Sequence, residues 1–147
     1  IIPPIPLSVR DIGVYHDLER QGNTYVLAEE SESWLERLLP GRTVHITRAS
    51  SLYVLSAIFA PDDLKTGIVH VWEWYDTDLR QWREMDQIGF PITGGRDDGY
   101  RGYTRKSTLL AGKWRVSVAT DRGKTMGRLH FRIEINDVLP ELERVVE

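Results

Sequence analysis

The sequence predicts an all-β fold, an antiparallel β-sandwich of about seven strands with one short helix near the N-terminus. From residue 42 onward, apolar and polar side chains alternate with a period of two, and clusters of glycine, proline, aspartate and serine separate the alternating runs. The runs are RTVHITR, SLYVLSAIFA, GIVHVWEWYD, WREMDQIGF, YRGYTRKSTL, KWRVSVAT and GRLHFRIEI. Because no stretch of helical periodicity lies between them, the strands belong to an antiparallel sandwich and not to a parallel α/β sheet.

The first 41 residues divide into a linker and an extension of the sandwich. Prolines at positions 3, 4 and 6 favour an extended linker over residues 1–7, of the kind that joins a domain to an upstream part of a longer protein. Residues 8–41 form an N-terminal extension. Its patterns predict a strand at residues 25–28 and a less regular one over residues 12–18.

The run SESWLERLLPG predicts the short helix. Ser31 is a suitable N-cap, and the Pro40-Gly41 pair ends the helix. One helical face carries Trp34, Leu35, Leu38 and Leu39. We interpret this helix as a cover over an open end or edge of the sandwich, which itself spans residues 42–136 and is followed by a tail over residues 137–147.

Composition and charge restrict the function. The chain has 147 residues, a net charge of −3 and a pI near 5.8, so it lacks the overall basic charge of a nucleic-acid-binding protein. The absence of cysteine excludes disulfides, thiolate metal ligands and a cysteine nucleophile. A domain of this length buries roughly 70% of its unfolded surface and needs no cross-link to be stable. No apolar run is long enough to span a bilayer.

The last two strands allow a register to be predicted, because each has one apolar and one polar face. A turn at DRGK sets Trp114 opposite Phe131 in the core and Arg115 opposite His130 outside. A three-residue loop with a glycine bulge would need a second bulge, near Gly127, to restore this pairing. With this register, Trp114→Ala is expected to cost about 3–5 kcal/mol and Arg115→Ala well under ~1 kcal/mol.

The second half of the chain resembles a known family. The pattern is a His-x-Trp strand, an Arg-x-aromatic-Ser/Thr strand, Gly-x-Trp-x-Val and a final Gly-Arg-x-x-Phe. The matching residues are His70 and Trp72; Arg101, Tyr103 and Thr104; Gly112, Trp114 and Val116; and Gly127, Arg128 and Phe131. They are similar to the C-terminal domain of unknown function (DUF2914) that follows membrane segments in a group of bacterial inner-membrane proteins. The resemblance implies an Ig-like fold and a membrane-anchored parent protein, with the domain expected on the periplasmic side. It implies no activity.

No motif predicts catalysis, a cofactor or a metal. The four histidines, His16, His45, His70 and His130, form no short ligand motif, and the aspartate pairs lack the ligand spacing of a calcium-binding loop. There is no Gly-x-Ser-x-Gly elbow, and ITGGRDDGY lacks the lysine of a phosphate-binding loop, so we interpret its glycines as a crossing between sheets. His70 is predicted to pack in the core and to donate to a backbone carbonyl. We therefore expect a protein that is not an enzyme.

Cationic side chains supply the first candidate binding site. The outer face of the predicted C-terminal hairpin gathers Arg115, Arg128, His130 and Arg132, and one face of a preceding strand carries Arg101, Tyr103 and Arg105. Such a surface suits an acidic partner or anionic head groups, with an attraction that weakens as salt rises. The alternative is a solvated row that Glu73, Glu134 and other carboxylates neutralise.

Tryptophans supply the second candidate site. Trp72, Trp74 and Trp82 lie in or next to one predicted hairpin, and five tryptophans exceed what a core of this size commonly holds, so at least one is expected to be exposed. The alternative is that Trp72 or Trp74 is the central core residue. Two function classes follow: an interaction or sensor domain that binds an unknown protein or peptide, and a carbohydrate-binding module for cell-wall or other glycan.

Overall fold

The computed structural model of the chain describes residues 7–31, 41–60, 66–92 and 99–147. Eleven strands lie in these ranges: β1 (Ser8–Tyr15), β2 (Asp17–Gln21), β3 (Thr24–Glu30), β4 (Thr43–Ile46), β5 (Leu52–Phe59), β6 (Ile68–Asp76), β7 (Gln81–Gly89), β8 (Tyr100–Lys106), β9 (Gly112–Thr120), β10 (Thr125–Ile135) and β11 (Leu142–Val146). The seven strands predicted after residue 42 are confirmed. The predicted helix, from residue 32 to residue 40, lies outside the described residues.

Two sheets form the sandwich. One has the strand order β1-β5-β8 and the other β4-β10-β9-β6-β7, and all neighbours are antiparallel except β4 and β10. A three-stranded sheet facing a sheet built around β6, β9 and β10 is the arrangement of an immunoglobulin-like sandwich. The predicted Ig-like fold class is therefore confirmed. The sandwich has eight strands, because β1, from the N-terminal extension, pairs with β5.

The core between these sheets is centred on two tryptophans. Trp72 of β6 and Trp114 of β9 are fully buried and meet edge to face, with 6.4 Å between their ring centroids. The indole N–H of Trp114 donates to the carbonyl oxygen of Leu110 at 2.8 Å, so its polar atom is satisfied. Around the pair pack Val14, Val44, Ile46, Leu52, Val54, Val116, Phe131 and Ile133. This aromatic pair takes the central place in a domain that has no disulfide.

The β9–β10 hairpin has the predicted register. Trp114 lies opposite Phe131, and Arg115 lies opposite His130. Its turn matches the alternative of a loop with a glycine bulge and a second bulge near Gly127. Gly123 has a φ of 91°, and the register shifts between Thr125 and Gly127. This bulge restores the pairing that keeps the apolar side chains of both strands on the core face.

A third sheet, with the order β11-β3-β2, covers the three-stranded sheet on the side away from the core. Tyr25 and Leu27 of β3 pack against Leu55 of β5, together with Tyr15 and Leu18. Both ends of the chain therefore contribute to one layer, since β11 pairs with β3 over five residues. The strand predicted at residues 25–28 is part of β3.

Two glycines have specific roles at β8: Gly99 lies just before the strand, and Gly102 lies within it. Residues 93–98 of the predicted crossing lie outside the described residues. Gly99 has a φ of 78°, which favours glycine, and a Cβ atom there would come 2.8 Å from the carbonyl oxygen of Ile58. At Gly102, a Cβ atom would lie 1.9 Å from the ring of Phe90. The YRGYTRK strand therefore needs its glycine because an aromatic ring occupies the space of a side chain.

Candidate functional site

The outer face of the five-stranded sheet carries the candidate cations. The register places Lys113 opposite Arg132, Arg115 opposite His130, and Ser117 opposite Arg128, in three successive rungs of β9 and β10. Because side chains on adjacent strands share a face at such pairs, these residues form one surface. We call Lys113, Arg115, Arg128, His130 and Arg132 the basic face. The prediction missed Lys113, although it lies two residues before Arg115 in an alternating strand.

Charge is segregated into this hairpin. Residues 112–135 contain six lysine and arginine side chains and two carboxylates, a formal charge of +4 within a chain of −3. The remainder of the chain therefore carries −7. A local positive field on an acidic protein attracts anionic partners to one place on its surface.

Arg115, at the centre of the basic face, is held by two neighbours. Its Nε and Nη2 atoms donate to the two carboxylate oxygens of Glu73 on β6, at 2.9 and 3.1 Å. Its guanidinium also lies 4.4 Å from the centroid of the Trp82 ring. The Arg115 and Glu73 side chains are only 18% and 16% exposed, so this pair is shielded from solvent. Glu73 thus neutralises Arg115, which agrees for this residue with the alternative that carboxylates neutralise the row of cations.

Trp82 extends from β7 across the sheet to the basic face. Its ring centroid lies 5.2 Å from that of Tyr75 and 6.2 Å from that of His130. Contacts with Tyr75, Arg115 and His130 fix the indole over the middle rung. The side chain is half-buried, so part of the ring remains in contact with solvent.

The two outer rungs keep cations that carboxylates do not neutralise. Within the described part of the chain, the Arg132 side chain makes no hydrogen bond or ion pair, and Lys113 contacts only the ring of Tyr75, at 5.3 Å. The Nε atom of Arg128 donates to the neutral Ser117 hydroxyl at 3.0 Å. Glu134, the carboxylate nearest along β10, lies instead 3.4 Å from His45 Nε2. Like charges directly opposite each other in a sheet, as at Lys113 and Arg132, are destabilising.

The structure places Arg101, Tyr103 and Arg105 away from the basic face. They lie on the outer face of β8, where Arg105 is exposed and its guanidinium lies 6.0 Å from the Tyr53 ring centroid. Tyr103 packs between Tyr25 and Tyr53, with 6.3 Å between ring centroids in each case. The Arg101 guanidinium lies 4.6 Å from the Tyr25 ring centroid and donates to the Asn23 carbonyl. Arg101 and Tyr103 therefore attach the third sheet to the sandwich.

The three tryptophans of the second candidate site do not form one surface. Trp72 is fully buried, and Trp74 is half-buried with its N–H donating to the Ala111 carbonyl oxygen at 3.0 Å. Both point into the sandwich, whereas Trp82 lies on the opposite face of the sheet. None of the four tryptophans in the described ranges is more than half-exposed. The expectation from sequence that at least one tryptophan is exposed is not met by these four.

His70 lies in a buried network of hydroxyl groups. Its Nε2 atom lies 2.8 Å from the Ser56 hydroxyl and its Nδ1 atom 2.7 Å from the Thr104 hydroxyl. The expected bond to a backbone carbonyl is thus replaced by bonds to two side chains. Burial lowers the pKa of His70 to about 3, so the ring is neutral near pH 7. Ser56 and His70 are both fully buried, which separates this pair from any substrate in solution.

A second histidine cluster, which no sequence motif indicates, surrounds Glu30 at the end of β3. His16 Nε2 and His45 Nδ1 lie 2.9 and 3.0 Å from its two carboxylate oxygens. Burial raises the pKa of Glu30, but hydrogen bonds from both histidines outweigh it and lower the pKa below its usual value. In the described ranges, no group of three histidine, cysteine, aspartate or glutamate side chains is placed to hold a metal ion.

Comparisons with known proteins give the family context. Residues 65–133 match the family described as a protein of unknown function (DUF2914), which confirms the resemblance carried by the second half of the chain. An immunoglobulin-like protein from Pseudomonas aeruginosa, known from its crystal structure, is similar with 8% identity and a TM-score of 0.45. That match covers 89% of this chain and 98% of the other. No curated protein shows significant similarity to the chain. In the part of the chain that the structure describes, no helix has the length and apolar character required to cross a membrane.

Proposed function

We propose that this chain, with its DUF2914 region at residues 65–133, is a non-catalytic interaction domain that binds a partner protein through the basic face. The observation that carries the proposal is the exposed pair of Lys113 and Arg132, which lie opposite each other on neighbouring strands. Like charges directly opposite each other in a sheet are expected to lower stability, and locally unfavourable choices occur mainly at functional sites. An acidic partner surface supplies the missing negative charge.

A protein partner also agrees with the middle rung of the face. Trp82 and Arg115 are held in place before a partner arrives, by Tyr75 and Glu73 respectively. Tryptophan and arginine are the residue types that contribute most to protein interfaces, and side chains that are already ordered lose little entropy on binding. The chain thus presents an interface centre with a charged rim.

The glycan alternative receives less support. A glycan-binding platform needs aromatic rings that present a common flat surface. Trp72 and Trp74 point into the sandwich, and the Tyr75 and Trp82 rings are inclined by 72°. We therefore favour a protein partner over a carbohydrate.

The proposal includes a location. By its resemblance to the DUF2914 domains that follow membrane segments, the chain is the extramembrane domain of a bacterial inner-membrane protein, on the periplasmic side. Fractionation of cells and protease treatment of spheroplasts test this part. Recovery of the parent protein in the soluble cytoplasmic fraction would contradict it.

Site-specific photocrosslinking in the producing cells tests the binding surface. A photoreactive residue replaces Lys113 or Arg132, and a matched control replaces Arg144, an exposed arginine on β11 in the third sheet. We expect one defined protein adduct from the two basic-face positions and none from position 144. Adducts at position 144 alone, or no protein adduct from the basic face, would show that partners do not bind there.

A further inference from the structure

The basic face has an order along its strands that restricts the segment it can bind. The first rung carries Arg128 beside Ser117, the second carries Arg115 and His130 below Trp82, and the third carries Lys113 and Arg132. Two cationic ends therefore flank an aromatic centre. Successive rungs on one face of a strand lie roughly 6.8 Å apart, because each residue advances about 3.4 Å.

We infer that the basic face binds an extended segment of the partner protein in which an apolar residue stands between two carboxylates, each two positions away. In an extended segment, alternate side chains point to the same side with the same spacing of roughly 6.8 Å. The apolar side chain then meets the solvent-facing part of the Trp82 ring while the carboxylates reach Arg128 at one end and Lys113 with Arg132 at the other. This inference rests on the proposed function and adds the chemistry of the bound segment.

The shielded Arg115–Glu73 pair explains why the centre suits an apolar residue. Arg115 already has one donating edge, its Nε and Nη2 atoms, bound to the Glu73 carboxylate, and one side of its guanidinium is covered by Trp82. A third carboxylate placed at the middle rung would meet Glu73, which repels it. An apolar side chain there buries part of the indole and meets no unpaired charge.

The spacing also distinguishes an extended segment from a helix. Between the first and third rungs the face spans four residues of β10, roughly 13.6 Å. Three side chains on one face of a helix, at i, i+4 and i+7, span only about 10.5 Å, so a helix matches the three rungs less closely than an extended segment. The rungs therefore select for sequence order as well as for charge.

Two synthetic peptides of identical composition test this inference with the purified chain. One contains Glu-Thr-Phe-Thr-Glu between uncharged flanks, and the other contains the permuted order Glu-Glu-Thr-Phe-Thr. We expect the first to bind about twofold to fivefold more tightly at low salt, since one charged contact is misplaced in the second. Arg132→Glu should abolish this difference, whereas the control Arg144→Glu, on the third sheet, should keep it.

Other results would overturn the inference, and they show separately whether the proposed binding of a partner protein also fails. Equal affinity for both peptides would mean attraction by charge without order. Binding of neither peptide, together with protein adducts from positions 113 and 132 in cells, would remove the extended motif but keep a protein partner. Tighter binding of single-stranded DNA or phosphatidylglycerol vesicles, in competition with the first peptide, would assign the face to another anion.

Discussion

The two faces of the five-stranded sheet treat polar groups in opposite ways. On the inner face, both ring nitrogens of the neutral His70 are bonded to hydroxyl groups, and the ring is fully buried. On the outer face, Lys113 and Arg132 lie opposite each other and find no carboxylate among the described residues. The inner face satisfies its polar groups within the chain, whereas the outer face keeps cations that no carboxylate of the described residues neutralises.

This contrast assigns different consequences to substitutions on the same strands. Inner residues are expected to determine stability, because they fill the core or hold buried polar groups. Outer residues at the first and third rungs are expected to determine binding. Arg115 belongs to both groups, since it is paired within the chain and lies at the centre of the outer face.

The largest expected effect is at the inner face. Trp114→Ala should lower the free energy of unfolding by about 3–5 kcal/mol, because it removes a fully buried indole that packs against Trp72. Trp82→Ala, on the outer face, should cost about 1–2 kcal/mol because that ring is only half-buried. Urea denaturation of both variants gives the comparison. Equal losses would break the distinction between the two faces.

The next largest expected effect is the loss of stability that His70 causes when the pH falls. The pKa of His70 is about 3 in the folded chain and near 6.5 when unfolded, so the unfolded chain binds a proton first as the pH falls. Stability from the neutral ring is therefore present above pH 6.5 and is lost progressively down to about pH 3. Between pH 7 and pH 5 the loss should be about 2 kcal/mol.

Other groups titrate over the same range, so the test for His70 is a difference between proteins. Urea denaturation at pH 7 and pH 5 is compared for the unsubstituted chain and for His70→Gln, which has no titratable ring. We expect the variant to be less stable at pH 7 but to lose about 2 kcal/mol less on acidification. An identical pH dependence in both proteins would show that His70 is not held neutral.

The third expected effect is the loss of stability in Arg115→Ala, for which the structure gives a larger value than the sequence did. Arg115→Ala should cost about 1–2 kcal/mol, more than the surface value expected from sequence, because it leaves the Glu73 carboxylate half-buried without its bidentate partner. Arg132→Ala is the matched control on the neighbouring strand and should change stability by less than ~0.5 kcal/mol. If both variants lose the same stability, the pairing of Arg115 with Glu73 does not stabilise the fold.

The sequence predicted the strands and the hairpin because alternation fixes which side chains face the core. It also placed Arg115, Arg128, His130 and Arg132 on one face. The sequence pattern did not assign Trp82 to the basic face. The register of β6 with β7 shifts between Trp72 and Glu73, and alternation of side chains does not reveal such a bulge. The bulge changes which residues of β7 share a face with the basic residues.

Arg101 and Tyr103 show a second limit of sequence. Their alternation in β8 is that of a solvated row, but the third sheet covers them. That sheet joins β11 to β3, two short strands from opposite ends of the chain, and no local pattern specifies which strands pair over such a separation. The sequence pattern predicts on which face of a strand each side chain lies, but it does not predict which other sheet packs on that face.

The most direct test of the role of these cations is the stability of Arg132→Glu measured together with its binding. A glutamate opposite Lys113 replaces a repulsive pair with an attractive one, so the free energy of unfolding at low salt should stay the same or rise by about 0.5 kcal/mol. In the same protein, the Glu-Thr-Phe-Thr-Glu peptide and the protein adduct at position 113 should be lost. A variant that is less stable by ~1 kcal/mol or more and still binds would contradict the claim that these cations serve a partner and not the fold.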